Sequence, residues 1–302
     1  MTLQANSPIL IDPGPSPRGW HRLEVAIRCL QLYAFSHHKD AGPREPSSAE
    51  PLVVGSLVHV GVAHFRARQR QDQNRLPRDA YYEPATAIEL LAEKNGSGWT
   101  PHVDRAQRIV SAYIEHWSAK EHGVRPLHVE ELFEIRYPCT RGPIRRKERN
   151  AAGMWTGGWI EENEVLVTAR VDLVYEKDGK VYLADTKTSG RLNGTHAGIY
   201  SISGQLLNYR WIGQLLYGAR FGGIVLDLVQ TGDIGKFERP PLDPAPALFS
   251  KFPQIVEDIE RRIAALEDED RAINDWPAAA SELVCIHRYG RCSAFERCKW
   301  GL

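Results

Sequence analysis

The chain has 302 residues, of which 42% are hydrophobic and 25% charged, with a formal net charge of +0. That is enough chain for a sizeable core, and it describes one large globular domain or one with a helical elaboration. Zero net charge argues against a protein that holds nucleic acid by bulk electrostatics alone, and five cysteines are too few for a disulfide scaffold. No signal peptide or apolar run of membrane-spanning length is evident, so a cytoplasmic protein without a membrane partner is expected.

Residues 1–18 are rich in proline and polar groups and lack periodicity, which predicts a loosely held arm ahead of a single domain over 19–302. LEVAIRCLQLYAFSHH reads as a helix carrying Cys29, and KDAGPREPSSAEP as a second flexible segment. VGSLVHVGVAHFRARQ is of helical length, with His59 early in its apolar part; a lone histidine there is usually structural, and His64 more so. PATAIELLAEKNG is a run of strong helix formers ending in an Asn-Gly stop. Thr100-Pro101 then supplies an N-cap and first-turn proline for a helix whose apolar face runs from Val103 to Trp117. The mainly helical part extends to residue 125 and the core from 126 to 235, with a C-terminal helix and cysteines over 236–302.

Strand signals run from about His128 to Lys187, followed by a helix at Gln205 and a buried-strand run, GGIVLDLVQ. Strand, helix, strand implies a mixed sheet with a crossover helix. In VEELFEIRY, alternation places Glu131 with Val129, Phe133, Ile135 and Tyr137 on one face. A buried Glu131 would need a partner, such as Lys187 or a water at a metal; an exposed strand edge is the alternative. The last long helix, ALFSKFPQIVEDIERRIAALEDED, has Phe252, Ile255, Val256, Ile259, Ile263 and Leu266 as its stripe, and its charges read as a solvated face.

The chemistry concentrates in TARVDLVYE and KVYLADTKTSG, two strand-like runs joined by the turn signal Lys177-Asp178-Gly179. Alternation puts Val181, Leu183, Asp185 and Lys187 on one face. Asp172 and Asp185 on neighbouring strands make an oxygen-rich site suited to Mg²⁺ or Mn²⁺, and Lys187 beside them can orient water or balance charge in phosphoryl chemistry. A surface ion pair at a strand end is the plainer reading of the same three residues. Gln205 and Tyr209, four apart on a helix, share a face that could look back at them.

Taken in order, Gly55 to His59, Asp172 within ARVDLV, Asp185-Thr186-Lys187 and Gln205 to Tyr209 resemble the RecB-like branch of the PD-(D/E)xK nuclease superfamily, from about residue 20 to the C-terminus. The family usually has glycine three residues before the first aspartate, where this chain has Ala169. The resemblance implies an α/β, restriction-endonuclease-like core with a central mixed sheet flanked by helices and an N-terminal helical elaboration. It also implies His59, Asp172, Asp185 and the Thr186 carbonyl as metal ligands, Lys187 as the catalytic lysine, and Gln205 and Tyr209 facing DNA or the metal's surroundings.

Three of the five cysteines, Cys285, Cys292 and Cys298, fall in the last eighteen residues, and such clustering normally means metal. With Cys29 as a fourth thiol, the arrangement resembles the iron-sulfur staple of the CRISPR-associated spacer-acquisition nucleases and the AddB-type nucleases, which implies a [4Fe-4S] cluster. The first two C-terminal cysteines of those proteins are usually two residues apart; here six intervene. Zinc is the alternative, held by the four thiolates or by the three C-terminal ones with His287. Cys139 stands apart as a free thiol.

RGPIRRKERN carries five basic residues against one acidic and is followed by Trp155 and Trp159. Basic groups beside aromatics suit single-stranded nucleic acid, so Arg145, Arg146, Lys147, Trp155 and Trp159 are DNA-binding candidates, unless the segment is only a solvated hairpin. The expected function is metal-dependent DNA hydrolysis, more exonucleolytic than site-specific, on single strands or free ends. The absence of a Walker motif argues against helicase activity in this chain, so unwinding would need a helicase or recombination partner. The rival is a cluster-stabilised nucleic-acid-binding or adaptor protein whose nuclease site is unused.

Overall fold

The two-residue turn Asp178-Gly179 has both residues in the left-handed region, φ 51° and 74°, the geometry that a tight hairpin's right-handed twist requires. It joins β4 (Glu164–Lys177) to β5 (Lys180–Ser189), antiparallel from Lys177–Lys180 to Leu173–Ala184. This computed structural model describes residues 8–12, 14–38, 41, 49–73, 80–151, 154–279, 281–287 and 290–300. Most of the segment expected to be flexible around 39–51 lies outside them.

From β5 the chain passes through α6 (His196–Tyr200) and α7 (Gly204–Tyr217) to β6 (Phe221–Gln230), which pairs parallel to β5 from Val181–Phe221 to Ser189–Gln230. This is the crossover that the strand-helix-strand order predicts. With β1 (Arg125–Pro138), β7 (Phe237–Glu238) and β8 (Pro241–Leu242) it completes a mixed sheet of order β1-β4-β5-β6-β7, with β8 also on β6. Strand β5 is central, and Val181, Leu183, Ala184 and Asp185 are all buried. Gly213 of α7 lets the helix meet the strand that follows it: a Cβ there would lie 2.2 Å from the Phe221 ring.

The helical layer contains α3 (Glu50–Gln73), α4 (Pro84–Asn95) and α5 (Val103–Ser118). Helix α4 ends as its sequence dictates, with Gly96 at φ 91°. Leu57, Val60, Ile88, Leu91, Ile109 and Val110 form its core with Val229 and Phe237, each large aliphatic contributing about 1.5–3 kcal/mol by burial. Within the N-terminal arm, the described residues 9–12 are tied to the helical layer and its connections. Ile9 N–H donates to Ala80 O at 2.9 Å, Ile11 N–H to His64 Nε2 at 2.9 Å, and Asp12 pairs with Lys94.

Behind this core lies a buried charge network. Arg66 of α3 binds Glu121 and, at 2.7 Å, the Tyr113 hydroxyl, while Arg239 binds Asp227 of β6 at 3.1 Å, Glu121 and the same hydroxyl. Tyr113 in turn donates to Asp227, and the Arg239 guanidinium lies 3.8 Å over the Trp117 ring. The two guanidinium and two carboxylate charges balance.

The chain divides into two compact units that do not follow the boundaries anticipated at 125/126 and 235/236. One comprises 1–16, 46–133 and 170–246; the other comprises 17–45, 134–169 and 247–302. The second unit contains α1 (Trp20–Arg28), α2 (Leu30–His37), the antiparallel pair β2 (Ile144–Arg149) and β3 (Trp155–Glu162), almost all of α8 (Pro246–Asp268), and the C-terminal elements α9 (Glu282–Cys285), β9 (Ile286–His287), β10 (Gly290–Arg291) and α10 (Phe295–Trp300). The single helix expected around Cys29 is two helices. Cys29 is extended (φ −163°), and its Sγ caps α2 by accepting from Leu32 N–H at 3.5 Å. The stripe of α8 is apolar as expected, but its charges are not all solvated. Glu257 accepts from the Thr140 N–H at 2.7 Å, and buried Glu260 pairs with Arg22 and with Arg146 at 3.0 Å.

Candidate active site

Helix α3 can approach β5 closely because residue 55 is glycine; a Cβ there would stand 2.8 Å from the Thr188 hydroxyl. One turn later His59 reaches the sheet, its Nε2 lying 2.8 Å from Glu130 Oε1 and 3.5 Å from Asp172 Oδ2. One donor atom from each of these residues lies within 4.8 Å of the other two. An imidazole nitrogen and two carboxylates form a donor set for a divalent cation. They also line a cavity of about 10 Å³, close to the roughly 10–15 Å³ that one water needs.

Electrostatics mark the same point. Burial alone would lower the His59 pKa, yet Asp172 and Glu130 outweigh it and push the imidazole up to about 9. Burial also raises Asp172, against the pull of His59. The protein thus favours positive charge between these carboxylates.

Asp185 is wholly buried, and burial pushes its carboxyl up to about 6, although the Lys187 ammonium 2.6 Å away pulls it down. Lys187 is raised: desolvation works against its charge, but Asp185 and Asp172 prevail. Where the strands part beyond Leu173–Ala184, Thr186 N–H donates to Asp172 Oδ2 at 2.7 Å instead of to a backbone carbonyl. Gln205 Nε2 donates to Asp185 Oδ1 at 3.0 Å, while its Oε1 accepts from Lys187 at 3.2 Å. Tyr209 donates to Arg170 O at 2.5 Å and sits 3.2 Å from Gln205 Nε2. Burial drives the Tyr209 pKa well upward.

The fold therefore gathers His59, Asp172, Asp185, Thr186, Lys187, Gln205 and Tyr209, and it replaces one candidate. Glu131 points outward, its side chain 47% exposed and 3.6 Å from His128. Glu130 points inward instead, because its φ of 51° breaks the alternation of β1. Arg170 was also missed. It donates to Glu130 O at 3.0 Å and Gly14 O at 3.1 Å, holding the irregular segment in place. Two adjacent glutamates were the only signal for the first, and nothing local signals the second.

The basic hairpin lies in the other unit, and much of its charge is engaged. Arg146 pairs with Glu162, Glu260 and Glu267, and Lys147 with Asp270 at 2.6 Å. That engagement removes them as free phosphate contacts. Arg145 is more open, 3.7 Å from Glu161 and 4.9 Å from the Trp159 ring, and Trp155 and Trp159 remain 50% and 45% exposed.

Cys29, Cys285, Cys292 and Cys298 fall in the same second unit, all as free thiols. Cys29 packs with Leu32 and Ala294 and against Cys292, whose N–H donates to Cys285 O at 2.8 Å. The Cys298 pKa is raised by burial, then by Cys29, Cys292 and Cys285, so Cys298 lies within electrostatic reach of the other three thiols. The side chain of His287 lies outside the described residues. Cys139 stands apart, its thiol donating to Glu162 O at 3.5 Å.

Among the described residues no helix is long and apolar enough to cross a membrane. No curated protein matches the sequence. Among solved structures, a protein from Eubacterium rectale provisionally named an exonuclease is 11% identical, with 89% of this chain and 80% of that chain covered at a TM-score of 0.47. SSO0001 is also 11% identical, with 80% and 84% covered at a TM-score of 0.29. The model of the PD-(D/E)XK nuclease superfamily matches residues 20–299, a span that holds all the motifs from Gly55 to Tyr209. The chain belongs to the PD-(D/E)XK nuclease superfamily.

Proposed function

We propose that this protein is a deoxyribonuclease of the RecB-like branch, dependent on Mg²⁺ or Mn²⁺ and acting on single strands or free ends. The observation that carries this reading is the meeting of His59, Glu130 and Asp172 within 4.8 Å, beside a hairpin on which Lys187 and Asp185 are paired. A divalent ion bound there supplies an activated water and offsets charge on the phosphoryl oxygens.

The residues do the rest. His59, Glu130 and Asp172, with Asp185 and the Thr186 carbonyl, would hold the ion. Lys187, fixed between Asp185 and Gln205, orients the attacking water and balances the negative charge that grows as the phosphorus–oxygen bond breaks. Gln205 keeps the Asp185 and Lys187 heads in register, and Tyr209 ties that helix face to β4 through Arg170 O. Arg145, Trp155 and Trp159 offer an exposed stacking surface to unpaired bases.

Labelled single- and double-stranded DNA incubated with Mn²⁺, Mg²⁺ or chelator tests the reading. Degradation should require metal and fall by at least about 100-fold in Lys187→Ala. Equal rates in wild type and variant would sink the mechanism.

The second unit is proposed to carry a [4Fe-4S] cluster on Cys29, Cys285, Cys292 and Cys298. The packing of Cys29 against Cys292 and the electrostatic reach of Cys298 to the other three thiols support it, and such a cluster would tie α1–α2 to the C-terminal turns, making metal binding part of folding. Anaerobic purification should give a brown protein containing iron and acid-labile sulfide. A colourless protein with stoichiometric zinc would reject the cluster.

A further inference from the structure

A second pocket, of about 290 Å³, shares Glu130 with the metal trio. Its lining is mixed in character. Ile9, Ile11, Val129 and Tyr81 bring apolar surface to it, and Arg70 and Arg170 bring cationic side chains. Arg170 is fixed by the Gly14 and Glu130 carbonyls. Ile11 is fixed by donating to His64 Nε2, whose other nitrogen lies 3.1 Å from Tyr82 O. The pocket is therefore built into the fold rather than left between mobile side chains.

Charge identifies what it would take. Asp12 at its edge already pairs with Lys94, and Glu130 faces His59. Among the described residues Arg70 has no carboxylate within ion-pair distance, which leaves the pocket a cationic end. Arg70 also lies on the metal-facing side of α3, since eleven residues from His59 is almost a whole number of turns, and its side chain leans back toward the N-terminus of the helix. A ligand with an anionic end and a flat, weakly polar body matches this mixed lining, and the volume is near the lower end of the roughly 300–1,000 Å³ usual for small-molecule sites.

We infer that this pocket is a nucleotide subsite, in which Arg70 and Arg170 hold a phosphate and Tyr81 with the aliphatic residues holds the base of the nucleotide flanking the bond to be cut. This rests on the nuclease reading of the adjoining trio and deepens it. The product side of the same pocket would retain a nucleoside monophosphate.

Equilibrium dialysis of the full chain against deoxyadenosine monophosphate in EDTA tests this. Binding should be detected below about 1 mM, with deoxyadenosine and inorganic phosphate each at least about tenfold weaker. Arg70→Ala and Arg70→Gln, both at a partly exposed position late in α3, should weaken the nucleotide by about tenfold or more while leaving Mn²⁺ affinity and the circular dichroism spectrum unchanged. No binding up to about 10 mM, or equal binding by wild type and both variants, overturns the subsite. DNA hydrolysis persisting beside that result would spare the nuclease reading. Nucleotide binding without any hydrolysis would instead overturn the nuclease reading and keep the subsite.

Discussion

Glu130 shows how much one dihedral angle decides. A non-glycine residue at φ 51° costs roughly 1–2 kcal/mol, and the cost recurs in every folded molecule unless neighbours hold the conformation. Here Arg170 grips the carbonyl of Glu130 while His59 meets its carboxylate. Glu130→Gln should lower Mn²⁺ affinity about 10- to 100-fold, as measured by calorimetric titration, whereas Glu131→Gln should leave it unchanged. The reverse order would restore the simple alternation of β1.

Protonation gives a second test at this scale. Mn²⁺ must displace the proton on His59, so its affinity should climb with pH, by about tenfold per unit at most, and level off above about 9. In EDTA the sign for stability is opposite. His59 is raised in the fold, so its contribution is complete below about 6.5 and fades as pH rises through about 9. Asp185, also raised, takes up its proton on folding and adds to the loss as pH passes upward through about 6. Urea denaturation in EDTA should therefore show lower stability at pH 9 than at pH 5, and a flat profile would contradict this assignment.

At the scale of elements, the site depends on how closely α3 lies on β5. Gly55→Val would drive its side chain into the Thr188 hydroxyl, one residue from Lys187. It should cost about 1–3 kcal/mol of stability and lower activity further by lifting His59 from Asp172, to be read from urea midpoints and from Mn²⁺-dependent turnover. The elements carrying these contacts were legible because their signals are local: Asp178-Gly179 specifies a tight turn, Asn95-Gly96 a helix end, and the apolar β6 run a buried parallel strand. What escaped has partners distant in sequence. Alternation assigns Glu131 inward because it cannot register the left-handed Glu130, and a charged helix face looks solvated until Arg22 and Arg146 arrive to bury Glu260. The same pairing answers the charge of the basic hairpin, whose cations were visible in the sequence while their carboxylate partners lay about 120 residues away. His59, Asp172, Asp185, Lys187, Gln205 and Tyr209, which the fold brings together, could be picked out because their order along the chain, rather than their contacts, carries the pattern.

For the molecule as a whole, neither compact unit is a contiguous stretch: each is assembled from three pieces of chain. No contiguous fragment consists of either one alone. In the unit that holds the site, the Arg66–Glu121–Arg239–Asp227–Tyr113 network joins α3, the end of α5, β6 and the residue just after β7. Glu121→Gln would leave two buried guanidinium groups sharing one carboxylate, and should cost about 3–5 kcal/mol by urea denaturation.

That network also bears on the order in which the unit can assemble. A partly folded state with α3 packed on α5 but without β6 and Arg239 would keep Arg66 on Glu121 yet leave the buried Tyr113 hydroxyl without its acceptor, Asp227, so such a state is penalised. The strands and helices of this unit should then open as one cooperative block, with the slowest amides of α3, α5 and β6 exchanging at a common free energy in native-state hydrogen exchange. A cleavage site built across those elements would be present whole or absent, with little population of a half-assembled state in which the lysine is poised and the metal ligands are not.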